Sequence, residues 1–540
     1  MKIKIFKYIL IYISFILEWG TNMRKSMANA IKNAKLLPIR LIIGGLLVGI
    51  VSGFIVMLYR LVLQYAEHIL QFIIEFISGS VIKALGWIAI LVVIVVIVAK
   101  IIKFEPMISG SGIPQIEGEM TGKLNQTWYK VLPAKFIGGF LCLLSGLSLG
   151  REGPSIQLGA MSGKGLSKLL SLSKTDEKYM LTCGASAGLA AAFNAPLAGV
   201  LFSLEEIHKN FSVSVLISVM TASVTSDYLA SKILGNEPVF NFSITQDLPM
   251  KYYGLILVLG IILGFFGVFY NWFTLKMQAL YQQCKFLNPT TKIIIPFFVA
   301  GILAFTMPVL LGSGGNLIEM ITTTKLSIVV AILLLIGKFI YSGISFGSGA
   351  PGGIFFPMLV LGGFAGGIFA MICINIFGLP SEYLNNFVLL AMAGFFTAIV
   401  RAPLTGIILI FEMTGSLSQL TSLLLISVSS YIIATLLKCE PIYESLLARI
   451  LKRQGQNIDN KEKVLKEYVI MHNSPIDGMK ISEIDLPSDV LIVAIHRGSE
   501  EILPNGDTKL YASDILLVMS NENGDIYDSL NNLCAENSIY

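Results

Sequence analysis

The sequence predicts an all-α polytopic membrane protein with a small α/β soluble unit at its C-terminal end. Three observations carry that expectation. The 540 residues are 54% hydrophobic and only 14% charged, far too little charge to cover a soluble protein of this size. Apolar stretches recur at about 40–62, 86–102, 136–149, 213–233, 253–275, 292–311, 327–341, 354–377, 386–400 and 418–437. Hydrophobicity then falls sharply after Leu437.

A perpendicular span needs about 20 apolar residues. Several of these stretches are longer and several shorter, as expected for tilted or half-crossing helices. Residues 1–22 are basic and then apolar, like a signal segment, but lack a small-residue cleavage site before Glu18-Trp19. An over-extended start, with Met23 or Met27 as the true one, accounts for them equally well, so 1–35 is read as an N-terminal extension. Arg24, Lys25, Lys32, Lys35 and Arg40 precede the first span and place the N-terminus on the cytoplasmic side.

The membrane part is assigned to 36–450, a polar linker to 451–464 and a regulatory unit to 465–540. In that last unit Tyr468–Met471, Val490–His496 and Ile515–Met519 read as strands. Asn505-Gly506-Asp507 reads as a turn and 525–533 as a short helix.

The scattered cysteines (142, 183, 284, 373, 439, 534) and histidines (68, 208, 472, 496) suggest no disulfide framework and no metal site. No nucleophile–base pair stands out, so an enzyme reading is weak. The net charge of +5 is modest; no cofactor and no nucleic-acid partner are expected.

Weak internal symmetry runs through the membrane part. Gly150, Pro154 and Gly159 recur as Gly353, Pro357 and Gly362, an offset of 203. Ala195-Pro196-Leu197-Ala198-Gly199 recurs as Ala402-Pro403-Leu404-Thr405-Gly406, an offset of 207, and each is followed at equal distance by an acid, Glu205 or Glu412. Repeated breaks in two halves mark a transporter built from structural repeats, with its site at their interface near mid-membrane. Gly45, Gly49 and Gly53 lie on one helix face and predict close helix packing.

The chemistry concentrates in three glycine-proline breaks: Gly110-Ser111-Gly112-Ile113-Pro114, Gly150-Arg151-Glu152-Gly153-Pro154 and Gly353-Ile354-Phe355-Phe356-Pro357. Non-helical backbone at membrane depth must line a cavity or a bound ion. A break that opens a helix presents free N–H groups and the positive end of the helix dipole, which attract an anion without a fixed positive charge. Glu152, inside one break, is itself an anion that competes for such a site until protonation removes its charge. Anion and proton binding are then thermodynamically linked.

These motifs, in this order and spacing, resemble those of the CLC family of chloride channels and proton–chloride exchangers over about 36–450. The resemblance implies a fold of two inverted pseudo-repeats of interrupted helices and a homodimer. It implies chloride held by the hydroxyls of Ser111 and Tyr443 and the amides of Ile354 and Phe355. The amides of Arg151 and Gly153 help bind an outer anion, Glu152 is the external gate and Glu206 is the internal proton acid. Serine at 111 favours chloride over nitrate, and Ser111 with Tyr443 argues against fluoride. Phe356 departs from the family's frequent alanine. Both acids together favour H+/Cl− exchange; the alternative is a passive channel, voltage- or proton-gated, of the same fold.

The stretches 490–495, 502–510 and 512–518 resemble the TrkA-C ligand-sensing module, which implies dimerisation and either transport tuned by a small ligand or a dimer-stabilising role alone. The resemblances together imply a multi-pass protein of the cell membrane with its C-terminal unit in the cytoplasm. A sensor whose membrane part no longer conducts is the rival of another class. Other intramembrane charges are read as structural. Glu117 and Lys135 are expected to pair, Glu412 to be structural or at a subunit surface, and His208 to be solvated near a helix end.

Overall fold

The computed structural model describes residues 37–535 apart from 210, 236–245, 284–287, 289–290, 324–325, 415–418, 456–462, 473, 487–489, 499 and 522–523. The expectations for residues 1–35, and for half of the linker, lie outside the described residues. The chain divides into two compact units at Ile450/Leu451.

The first unit is entirely helical among its described residues. It opens with α1 (Leu37–Ile77), α2 (Val81–Phe104), α3 (Ile113–Met120), α4 (Trp128–Leu144), α5 (Glu152–Leu169), α6 (Lys174–Phe193), α7 (Pro196–Phe202) and α8 (Val213–Leu234). It continues with α9 (Tyr253–Gln283), α10 (Ile294–Thr306), α11 (Gly315–Thr323), α12 (Ile328–Gly347), α13 (Phe355–Phe377), α14 (Leu384–Val400), α15 (Pro403–Thr414), α16 (Leu420–Leu436) and α17 (Ile442–Arg453).

Among the described residues six helices are long and apolar enough to cross a membrane. The unit is therefore multi-pass. Helix α1, with 41 residues, is about 60 Å long at 1.5 Å per residue, twice a bilayer's hydrocarbon thickness. The apolar stretches 136–149, 213–233, 292–311 and 418–437 belong to helices that do not meet that criterion. The stretch 292–311, for instance, stops at Thr306 and passes through a short 3₁₀ turn, Pro308–Leu310. Hydropathy reads composition; here the backbone turns inside apolar sequence.

The element order of 37–234 recurs in 253–436. Helix α4 matches α12, α5 matches α13, α6 matches α14, α7 matches α15 and α8 matches α16, and the short turns Pro106–Ile108 and Pro308–Leu310 correspond as well. Helix α17 stands outside the repeat.

Small residues let the helices meet backbone to backbone. A Cβ at Gly45, Gly49 or Gly53 of α1 would fall 2.3 Å from Ser218 O, 2.6 Å from Ala222 O and 2.9 Å from Ser226 Cα of α8. The predicted stripe is thus a packing seam.

Helix starts divide into two kinds. Ser80, Ser173, Ser212 and Ser327 cap their helices with side-chain oxygens that accept the N–H of Lys83, Asp176, Val215 and Val330. Helices α3, α5 and α13 start within the three glycine-proline breaks and have no side-chain cap. No side-chain oxygen at these starts takes the first N–H groups.

The second unit is a four-stranded antiparallel sheet of β1 (Lys463–Val469), β2 (Val490–Arg497), β3 (Glu500–Ile502) and β4 (Ile515–Asn521), ordered β1-β4-β2-β3. Helix α18 (Gly524–Cys534) follows. The first strand ends at Val469, short of the 471 expected: Ile470 still donates its N–H to Asp514 O, but the Asp514 N–H turns back to Tyr511 O and ends the pairing. Tyr468, Ile470, Ile492, Ile495, Leu516, Val518, Leu530 and Cys534 form its core. Asp514 is buried and accepts from Arg497 Nε at 2.8 Å and Nη2 at 2.7 Å. Burial pushes the Cys534 thiol up to about 11, so it behaves as an apolar core side chain.

Candidate anion and proton site

The three breaks converge. Gly150 and Gly353 form an isolated antiparallel bridge, with N–H to O distances of 2.7 and 2.8 Å in the two directions. That bridge brings the starts of α5 and α13 together. The first break joins through the Gly153 backbone: a Cβ at Gly153 would fall 2.4 Å from Ser111 Oγ and 3.3 Å from Gly353 Cα. Gly112, at φ +100°, turns the chain from Ser111 into α3 in a conformation few other residues adopt.

Glu152 is the first residue of α5 and is fully buried. Its carboxyl lies beside the main-chain N–H of Phe356, at the start of α13. Neither oxygen completes a hydrogen bond of normal geometry. Arg151 is the nearest cation in sequence, yet its Nε is 3.9 Å from the carboxylate and its side chain is partly exposed. A carboxylate thus occupies an amide-lined seat with no tight ion pair. Sequence reasoning placed the inner amides at Ile354 and Phe355; the one facing Glu152 is the next in line, Phe356.

Ser111 Oγ and Tyr443 OH are both buried without a hydrogen-bond partner. Tyr443 lies in the first turn of α17. Its ring meets Phe202 edge-on at 6.4 Å, and Phe202 meets Phe355 edge-on at 6.0 Å. Ile354 and Phe355, both buried, supply the uncapped start of α13. Two buried hydroxyls without partners are costly alone, and hydroxyl donors of this kind are chemically suited to an anion.

Glu206 lies elsewhere, in a π-helical turn, Ser203–His208, that continues α7. It is buried, and its carboxyl faces that of Glu117 on α3. The Tyr443 hydroxyl is within electrostatic range of Glu206, Glu117 and Glu152. At the end of the π-helical turn Lys209 forms an ion pair with Glu444, the residue after Tyr443.

The expected Glu117–Lys135 pair is not formed. Lys135 is fully buried and its Nζ donates to Ile108 O at 2.8 Å and Gly110 O at 2.6 Å. The repeat has an equivalent that sequence reasoning missed: Lys338 Nζ donates to Leu310 O at 2.9 Å and Gly312 O at 2.7 Å. Its offset of 203 from Lys135 was the available signal. Glu412 is structural, as expected, for it accepts the N–H groups of Leu197 at 2.9 Å and Ala198 at 2.7 Å. Glu205 does the same for Leu404 at 3.3 Å and Thr405 at 2.9 Å. His208 is half-buried, with Nδ1 at 3.0 Å from Thr182 Oγ1.

A two-repeat helical membrane unit whose broken helix starts meet around an acid is the architecture of an anion transporter. The voltage gated chloride channel model matches residues 91–435 and the TrkA-C domain model matches 465–529. The chain belongs to the voltage gated chloride channel family. It is 37% identical over 358 residues to the H(+)/Cl(−) exchange transporter ClcA of Vibrio cholerae serotype O1, a match covering 65% of this chain and 76% of that protein. Among solved structures, a slow cyanobacterial Cl−/H+ antiporter superposes with a TM-score of 0.72 at 30% identity, over 77% of this chain and 99% of that one. A CLC-type fluoride/proton antiporter shares the fold, with a TM-score of 0.60 at 23% identity over 73% of this chain and 96% of that one.

Proposed function

We propose that the chain is a secondary active transporter that exchanges chloride for protons across the membrane. The observation that carries this is the position of Glu152: a buried carboxyl against the amide start of α13, with only the loose Arg151 contact at 3.9 Å as its cation. Chloride and the ionised carboxylate want the same amides, so one excludes the other. Protonation removes the carboxylate's claim, and chloride enters as the neutral side chain leaves.

In this reading Ser111, Tyr443, Ile354 and Phe355 hold the inner chloride, and the amides of Arg151 and Gly153 serve the outer one. Glu206 supplies Glu152 with protons by a route that passes Tyr443. The active unit is a homodimer in the cell membrane, with residues 465–540 in the cytoplasm, where the TrkA-C-like unit tunes transport in response to a small ligand.

The test is reconstitution of the full chain in liposomes under an outward chloride gradient with no proton gradient. An exchanger drives protons uphill, opposite to chloride. A passive channel of the same fold passes chloride and moves no protons. A sensor passes neither.

A further inference from the structure

Tyr59, on α1, is fully buried, and its hydroxyl has no hydrogen-bond partner. The ring is wedged edge-on against Phe136 of α4 at 5.1 Å. A Cβ at Gly139 would fall 2.2 Å from the phenolic oxygen, so the hydroxyl occupies the space that glycine leaves. Its electrostatic neighbours are Cys142, Glu152 and Arg151. Nothing in the exchange scheme has yet used this residue.

An isolated buried hydroxyl is costly, and a phenylalanine would keep the ring packing without that cost. Close by, both oxygens of Glu152 also lack a completed hydrogen bond. A hydroxyl without a partner thus lies within electrostatic range of the Glu152 carboxyl, which meanwhile rests against the Phe356 amide. Exchange requires that carboxyl to leave its seat whenever chloride takes it, and a carboxyl moved into apolar surroundings without a partner is expensive.

We propose that the Tyr59 hydroxyl is the second berth of the gate, donating a hydrogen bond to the Glu152 carboxyl after chloride has displaced it. Tyr59 is then a positioning residue for exchange. It leaves the chloride ligands alone and sets how readily the gate yields to chloride. The inference rests on the reading of Glu152 as gate.

A hydrogen bond to the neutral carboxyl is worth a factor of about two to ten in an equilibrium. Tyr59→Phe removes only the hydroxyl. In full-length protein it is expected to weaken chloride binding by about two- to tenfold in calorimetry, and to raise the chloride KM of exchange more than it lowers kcat. In a Glu152→Ala background, where no carboxyl needs a berth, the same change leaves chloride affinity unaltered. Equal loss in both backgrounds would mean that Tyr59 merely supports the fold, and an unchanged affinity in the single variant would also overturn the proposal. Either result leaves uphill proton movement by the unmodified protein, and hence the exchanger reading, untouched.

Discussion

Gly150 and Gly353, an offset of 203 apart, each donate their N–H to the other's carbonyl, at 2.7 and 2.8 Å. A reciprocal pair of this kind has local two-fold symmetry, so it marks where the two halves of the membrane unit meet. The same bridge fixes Glu152, two residues after Gly150, against Phe356, three residues after Gly353. A Cβ at Gly150 would lie 2.3 Å from Glu152 Oε2 and 3.0 Å from the Phe356 nitrogen. Gly150→Ala is therefore expected to evict the carboxyl from its seat. Parallel chloride and pH recordings in liposomes should show chloride flux retained with fewer protons moved per chloride. Overpacking should also lower stability by about 1–3 kcal/mol, read from thermal unfolding.

Glu152 and Glu206 separate cleanly by pH response. Glu152→Ala or →Gln should end proton movement and leave chloride flux that no longer varies with pH, because the titrating competitor is gone. Glu206→Gln should also end proton movement. Its chloride flux should still rise as external pH falls, since protons reaching Glu152 from outside still cancel its charge. A pH-independent flux in Glu206→Gln would remove Glu206 from the proton route.

Much of this centre was legible because the breaks are local in sequence: glycine and proline announce an interrupted helix whatever its neighbours do. The repeat was legible for the same reason, through the matched spacing of Gly150, Pro154 and Gly159 with Gly353, Pro357 and Gly362. Tertiary partnerships were not. Lys135 was paired with Glu117 on charge alone, yet the ammonium lies against the carbonyls of Ile108 and Gly110, acceptors that every sequence supplies and none advertises. Tyr59 sits within an apolar helix, and its burial beside Gly139 depends on which face α4 presents to α1.

The two buried lysines give a paired prediction. Lys135 and Lys338 each donate to two carbonyls, so replacing either with methionine takes a donor from each oxygen, although Gly110 O keeps the Gly352 N–H at 3.0 Å. Each change should cost about 2–4 kcal/mol, visible as a lower unfolding temperature in detergent. Only Lys135 holds the carbonyl of Gly110, immediately before Ser111. Chloride affinity by calorimetry should fall in Lys135→Met and hold in Lys338→Met.

Glu205 and Glu412 cap each other's half of the molecule. Glu205 also accepts from Thr405 Oγ1 at 2.7 Å. A glutamine keeps one acceptor oxygen and loses the charge that favours a helix start, so each single substitution should cost about 1 kcal/mol. The consequences for transport should differ. Glu205 precedes Glu206 in the same π-helical turn, so Glu205→Gln should slow proton movement, whereas Glu412→Gln should lower the unfolding temperature alone.

Lys209 and Glu444 tie the turn bearing Glu206 to the helix bearing Tyr443, and both side chains are about half exposed, at 46% and 48%. A pair this wet contributes only about 0–1 kcal/mol, so its loss should barely alter thermal unfolding. Its charge matters more. Lys209 also faces Glu206 and Glu117, and Lys209→Glu would gather four acids at the inner end of the proton route. Proton flux should drop in Lys209→Glu and recover in part in Lys209→Glu with Glu444→Lys. The defect should be deep near 0.01 M salt, where charges act over about 30 Å, and shallow near 1 M, where screening shortens that to about 3 Å. A defect that ignores salt would mean that the lysine acts through packing, not charge.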